Sequence, residues 1–174
     1  MTDFLMDHCG EIFSPYEAEL IAMSRAVLRD GLTRLKGRTS LLPSSNSHKV
    51  ANDTRAARDA ITMALCADYG ALRHEVAVMV LIDAQGRYIA TEEFPRGEAA
   101  RVQVSARLCA EFVIKHGASF CLLAHNHPSG DNTPSKPDIK LTNDMGQWLA
   151  EMQCGLIDHL VLAGDEASTI LGNW

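Results

Sequence analysis

The sequence predicts an α/β fold in which helices sandwich one mixed β-sheet, preceded by an N-terminal helical appendage. Three observations carry that expectation. Apolar runs of strand length lie at 75–83, 119–124 and 156–163, uniform enough for strands covered on both faces. Segments of helical character alternate with them at about 54–68, 105–116 and 138–154. Gly, Pro, Asn or Ser punctuates most of the changes of character.

The elements follow in order. Ser14-Pro15-Tyr16-Glu17 is a helix start, with a capping Ser, Pro at the first helical position and Glu three residues after the cap. Leu20, Ile21, Val27, Leu28, Leu32 and Leu35 continue it at helical spacing, and Gly37 is its stop. Thr39 to Asp53, rich in Ser, Asn and Pro, reads as a linker. It divides an appendage over residues 1–53 from a domain over 54–174. A second helix is expected from about Thr54 to Asp68, capped by Asp53 or Thr54.

Glu75 to Asp83 is a buried strand, Ala84-Gln85-Gly86-Arg87 a turn, and Tyr88 to Glu93 the hairpin partner. A short strand near Val102 to Val104 precedes Ser105, which caps a helix ending at His116-Gly117. Ser119 to Ala124 is another buried strand, delivering the chain to His125. A loop rich in Gly and Pro leads to a helix from about Asp138 to Cys154, closed by Gly155. Leu156 to Ala163 is the last clear strand, and the tail to Trp174 shows no clear element.

A length of 174 residues suits one domain with its own core. The net charge of -6 and pI near 5.6 do not support a surface wrapped on nucleic-acid phosphates. No apolar run approaches the roughly 20 residues needed to cross a bilayer, and the opening MTDFLMDHCGEIF lacks the basic and apolar regions of a secretory signal. The five cysteines are scattered and form no C-x-x-C, which fits reduced thiols in a cytoplasmic protein. Any metal is therefore expected on His and carboxylate ligands.

One segment has the pattern for that, running from Leu123 through His125-Asn126-His127-Pro128-Ser129-Gly130 to Ser135 and Asp138. In extended backbone, side chains two apart point the same way, so His125 and His127 can converge on one ion. Asp138 returns at the start of a helix for which Ser135 is a natural cap; its bland reading is the N3 carboxylate of a capping box. Two imidazoles and a carboxylate suit Zn²⁺ and leave a fourth tetrahedral position for water, whose pKa falls to roughly 7. A carboxylate must then accept the proton. Glu75, at the mouth of a buried strand, is the first choice as general base, with Glu92 and Glu93 as alternatives. The free imidazole N–H groups are expected to donate to backbone carbonyls. Asp158-His159 invites a dyad reading, but adjacent strand residues point to opposite faces, so His159 reads as structural.

The spacing His125-x-His127, seven residues, Ser135, two residues, Asp138 resembles the JAMM motif of the JAB/MPN metalloprotease superfamily. The string His-Asn-His-Pro-Ser-Gly, with Pro134-Ser135 and Asp138, is similar to its RadC branch, over about Thr54 to Leu171. Asp83, Arg96-Gly97 and Asp158-His159 fall within that stretch. The resemblance implies the MPN α/β sandwich, zinc on His125, His127 and Asp138, and Glu75 as catalytic glutamate. It also implies that Ser135 helps stabilise the tetrahedral intermediate. Two departures stand out. Residues 1–50 lack the Gly-centred helix-hairpin-helix pattern of longer RadC proteins, as in the short RadC-like proteins of mobile elements. Ser105-Ala106-Arg107 replaces the family's usual Pro-Arg-Glu.

The implied activity is zinc-dependent hydrolysis of amide bonds, of peptidase or isopeptidase type, on a peptide or protein substrate. A second reading is a non-catalytic accessory or nucleic-acid-associated protein, related to DNA repair or mobile elements, that keeps the metal-binding fold. The amphipathic first helix needs a partner surface, on this domain or on a second copy in a homodimer.

Overall fold

The computed structural model describes Leu41 and residues 48–95 and 104–174, with residues 48–54 described by backbone alone. The helix expected from Ser14, the Arg96-Gly97 pair and residues 102 and 103 of the expected short strand lie outside the described residues; Val104 itself is not in a strand. Helix α1 (His48–Leu65) runs into a π turn at Cys66–Gly70. Strands β1 (Ala77–Ile82) and β2 (Tyr88–Glu93) form a hairpin, followed by α2 (Ala106–His116), β3 (Phe120–Asn126), α3 (Lys136–Glu151), β4 (Gly155–Ala163) and β5 (Glu166–Thr169). The sheet order is β2-β1-β3-β4-β5. Among the described strands only the β3/β4 pair is parallel, so the sheet is mixed as expected.

Helices cover both faces, which is why every residue of β1 is buried and its sequence is an unbroken apolar run. Val78, Val80, Ile82, Leu122, Ala124, Leu160 and Leu162 pack against α1 residues such as Ala57, Ile61 and Leu65. Ala77, Met79, Leu81, Cys121 and Leu123 point the other way, onto Cys109 and Val113 of α2 and Met145 and Leu149 of α3. The β1–β2 turn is tied by Asp83, whose Oδ1 accepts the N–H groups of Gln85 and Arg87 at 2.8 Å each. Ser105 caps α2 as expected, and Gly117 ends it in the left-handed region at φ 62°.

Several boundaries need correction. Helix α1 starts at His48, so Asp53 and Thr54 lie within it and do not cap it. The run from His48 to Asp53 holds no Gly or Pro that would stop the helix from extending. Helix α3 starts at Lys136 and ends at Glu151, before the expected Cys154, and Gln153 turns the chain at φ 56°. Gly155 already belongs to β4, where a Cβ would stand 2.7 Å from the Phe120 ring. The tail forms β5, antiparallel to β4 across the two-residue turn Gly164-Asp165. Gly-Asp between two β-prone segments is a hairpin signal that the sequence carried.

Leu41, from the stretch that reads as a linker, is 1% exposed and joins the α1-side core. Its N–H donates to Gly86 O at 2.5 Å, and its carbonyl accepts Nε of Arg58 at 2.7 Å. Leu41→Ala is expected to cost about 2–5 kcal/mol, the range for emptying a buried leucine site. Urea unfolding checks this, and an unmoved midpoint would show that residue 41 adds nothing to the core.

Candidate metal centre

The alternation that sends Cys121 and Leu123 toward α2 and α3 carries His125 to the same side, at the end of β3. His127 follows just beyond the strand, its N–H held by Leu162 O of β4 at 2.8 Å. Gly130, at φ 81°, closes a turn by donating its N–H to His127 O at 3.1 Å. The chain comes back at Ser135, whose side chain accepts the Asp138 N–H and begins α3.

His125, His127 and Asp138 are thereby brought together as a group that could hold a metal ion. The two Nε2 atoms stand 3.0 Å apart. Asp138 Oδ1 lies 3.4 Å from His125 Nε2, and Oδ2 lies 3.4 Å from His127 Nε2. Tetrahedral ligands 2.0–2.1 Å from a zinc ion stand about 3.3–3.4 Å from one another. The two carboxylate separations match that edge through different oxygens and the imidazole pair is slightly closer, so the three groups fit the ion once one carboxylate oxygen turns to face both rings. The capping box forms as well, since Oδ2 accepts the Ser135 N–H at 2.7 Å while Oδ1 stays clear of it. Oδ2 thus serves the capping box while also facing His127, and Oδ1 faces His125. Burial alone would raise the Asp138 pKa, but the hydrogen bonds from Ser135 and the two nearby imidazoles bring it net below the ordinary value.

The imidazoles are held from behind in two different ways. His127 Nδ1 donates to the backbone carbonyl of Asp131 at 2.7 Å, as expected. For His125 the expectation of a carbonyl needs correction: its Nδ1 lies 2.8 Å from Nε2 of His159. His159 Nδ1 in turn meets Thr142 Oγ1 at 2.7 Å. Neither His159 nor Thr142 figured among the sequence candidates for this site. The parallel pairing of Leu123 with His159 puts both histidines on one face, and a single sequence does not reveal that pairing. Asp158 does face away from His159's ring, its carboxylate accepting the N–H groups of Leu171, Asn173 and Trp174.

Asn126, between the two histidines, is fully buried and turns to the opposite face. Its Oδ1 accepts the Val76 N–H at 2.7 Å, and its Nδ2 donates to Leu72 O and His74 O at 3.0 and 3.1 Å. It therefore pins the segment that carries Glu75. Ala77 pairs with His125, and Asn126 N–H donates to Val76 O, so alternation sets Glu75 on the His125 side of the sheet. Glu75 is exposed. Glu92, an alternative base, is engaged elsewhere: Lys115 and His116 at the end of α2 meet its Oε1 at 2.6 and 2.5 Å. The Lys115 hydrogen bond lowers its pKa most, with His116 adding to the effect against a smaller burial penalty. Glu93, the last residue of β2, pairs with Val78 of β1 and is exposed.

Burial drives the pKa of His125 down to about 4 and that of His159 to about 3. In the unfolded chain both take up protons near 6.5, so between those values folding excludes protons. Their contribution to stability is present above about 6.5 and is lost as pH falls toward 4. Metal-stripped protein should lose on the order of 2 kcal/mol per imidazole by pH 5. Denaturant midpoints measured from pH 7.5 to 5 check this, and a flat profile would contradict it.

Among the described residues no helix is long and apolar enough to cross a membrane. The family described as RadC-like JAB domain matches residues 54–171. A UPF0758 protein of Albidiferax ferrireducens is 33% identical over 150 residues, covering 86% of this chain and 58% of that protein. UPF0758 proteins of Cupriavidus necator and Thiobacillus denitrificans are 36% and 39% identical over 99 and 94 residues, or 57% and 54% of this chain. They are matched over 43% and 42% of their own length, so the chain spans about half the length of these relatives. The family match covers more than half of the chain, including β1, both His-bearing positions of the metal group and the cap of α3, and the chain therefore belongs to the RadC-like JAB domain family.

Proposed function

We propose that this chain is a zinc-dependent hydrolase of amide bonds, of peptidase or isopeptidase type. The observation that carries the proposal is the convergence of His125 Nε2, His127 Nε2 and the Asp138 carboxylate at the spacing of tetrahedral zinc ligands. When bound, Zn²⁺ would supply Lewis acidity toward the scissile carbonyl and activate a water for attack.

The remaining chemistry belongs to the chain. Glu75, on the same side of the sheet, serves as general base, taking the proton of the attacking water and passing it to the leaving nitrogen. Being exposed, it keeps the freedom to reach both atoms. Ser135 Oγ accepts the Asp138 N–H at 3.3 Å, which leaves its own hydroxyl proton to donate to negative charge developing on the carbonyl oxygen. His127 lies at the accessible rim and His125 at the buried floor, so substrate approaches from the His127 side.

The test is a panel of peptide and isopeptide linkages offered to metal-stripped and zinc-reconstituted protein. Cleavage that appears only with zinc supports the reading. A zinc-loaded protein inert on the whole panel, whose Glu75→Gln variant is equally inert, would favour the accessory role.

A further inference from the structure

We infer that His159 is a positioning residue for the metal centre, accepting the Nδ1 proton of His125 and so holding Nε2 of that ring free for the ion. This rests on the metal-binding reading above and adds to it a residue of β4 whose ring touches His125 on the side away from its Nε2. The argument is one of proton counting along a buried chain: His125 Nδ1, His159 Nε2, His159 Nδ1, Thr142 Oγ1 and the Asp138 carbonyl, linked at 2.8, 2.7 and 2.7 Å. His159 is 0% exposed and Thr142 is 2% exposed, so bulk solvent does not reach them and the protein partners carry the hydrogen bonding.

The carbonyl at the end fixes the direction. Asp138 O has no proton, so Thr142 must donate to it. A threonine hydroxyl has one proton, so Thr142 Oγ1 can only accept from His159, which places the His159 proton on Nδ1. Neutral His159 then offers a lone pair at Nε2, and His125 must donate from Nδ1 to meet it. The reverse order would set two lone pairs against each other at 2.7 Å between Thr142 and Asp138.

A second consequence follows for the ligands themselves. His127 also carries its proton on Nδ1, because Asp131 O can only accept. Both Nε2 atoms, 3.0 Å apart, therefore present lone pairs to the same point beside the Asp138 carboxylate. Three electron-rich groups converge with no shared proton, and a cation relieves that arrangement. The chain also ties the centre together mechanically, since Asp138 supplies a ligand oxygen from its side chain and the terminal acceptor from its backbone. Rotation of His125 would break the chain at its first link.

The experiment combines a spectroscopic measurement with two variants. Long-range ¹⁵N–¹H spectra of the wild-type full chain report which ring nitrogen of each histidine is protonated. The expected pattern is Nδ1–H on His159, His125 and His127. His159→Phe keeps a ring without an acceptor, while His159→Gln retains an amide oxygen able to accept from His125. Chelator competition should show zinc affinity falling about 10- to 100-fold in His159→Phe, with partial recovery in His159→Gln. The visible spectrum of the Co²⁺-substituted protein should change in the same order. An Nε2–H tautomer on His159, or equal zinc affinity and Co²⁺ spectra in folded wild type and His159→Phe, overturns this inference alone. Should His159→Phe fail to fold, the tautomer spectra of the wild type still decide. Wild type that binds neither ion overturns the metal reading and this inference together.

Discussion

Alanine at His127 is expected to weaken zinc binding by at least about a hundredfold while leaving the fold in place. The proposed site offers three protein ligands, and two would hold the ion poorly. His127 is the best position for the test because its side chain is 20% exposed and lies past the end of β3. Its removal leaves no cavity in either core, so the stability cost should stay within roughly 1 kcal/mol. Asp138→Ala should also abolish binding, but it breaks the capping box of α3 and adds a cost of about 1 kcal/mol that has nothing to do with metal. Zinc titration calorimetry and thermal melts of the stripped proteins check both. Unchanged affinity in His127→Ala would remove that residue from the ligand set, and global unfolding would make the site structural.

Glu75→Gln is expected to lower turnover by about 10²-fold or more while zinc occupancy and folding stay intact. The substitution keeps the shape and most of the hydrogen bonding of the side chain and removes its basicity. Glu75 is exposed, so little stability is at stake. The readout is kcat on whichever linkage the substrate panel identifies, with metal content measured on the same samples. Equal loss in Glu92→Gln would point elsewhere, yet Glu92 is held by Lys115 and His116 at the far side of the β1–β2 hairpin. Turnover unaffected by Glu75→Gln contradicts its assignment and leaves the metal group standing.

Local signals made much of this fold legible. The hairpin from β1 to β2, the Ser105 and Ser135 caps and the Gly117 stop are short-range features, and each appears where residue chemistry places it. The His-x-His pair and the returning Asp138 are also local, being thirteen positions apart around one turn and one cap. What escaped depends on contacts distant in sequence. His159 gains its place behind His125 only through parallel pairing of β3 and β4, and Thr142 only because α3 packs over that pair. Leu41 was hidden by the polar composition around it, although its own side chain enters the core. Asn126 lies between the two histidines, and its role in pinning residues 72–76 depends on the β1–β3 register. Alternation alone separates Asp158 from His159 onto opposite faces, but what each side chain meets depends on the neighbouring strands and on α3.

The most direct measurement is a crystal structure of the zinc-loaded protein with anomalous data on both sides of the zinc absorption edge. The account predicts one strong edge-dependent peak bonded to His125 Nε2, His127 Nε2 and a carboxylate oxygen of Asp138, each at about 2.0–2.2 Å. A zinc-loaded crystal with no peak among these three side chains, or with its peak at another cluster, would contradict it.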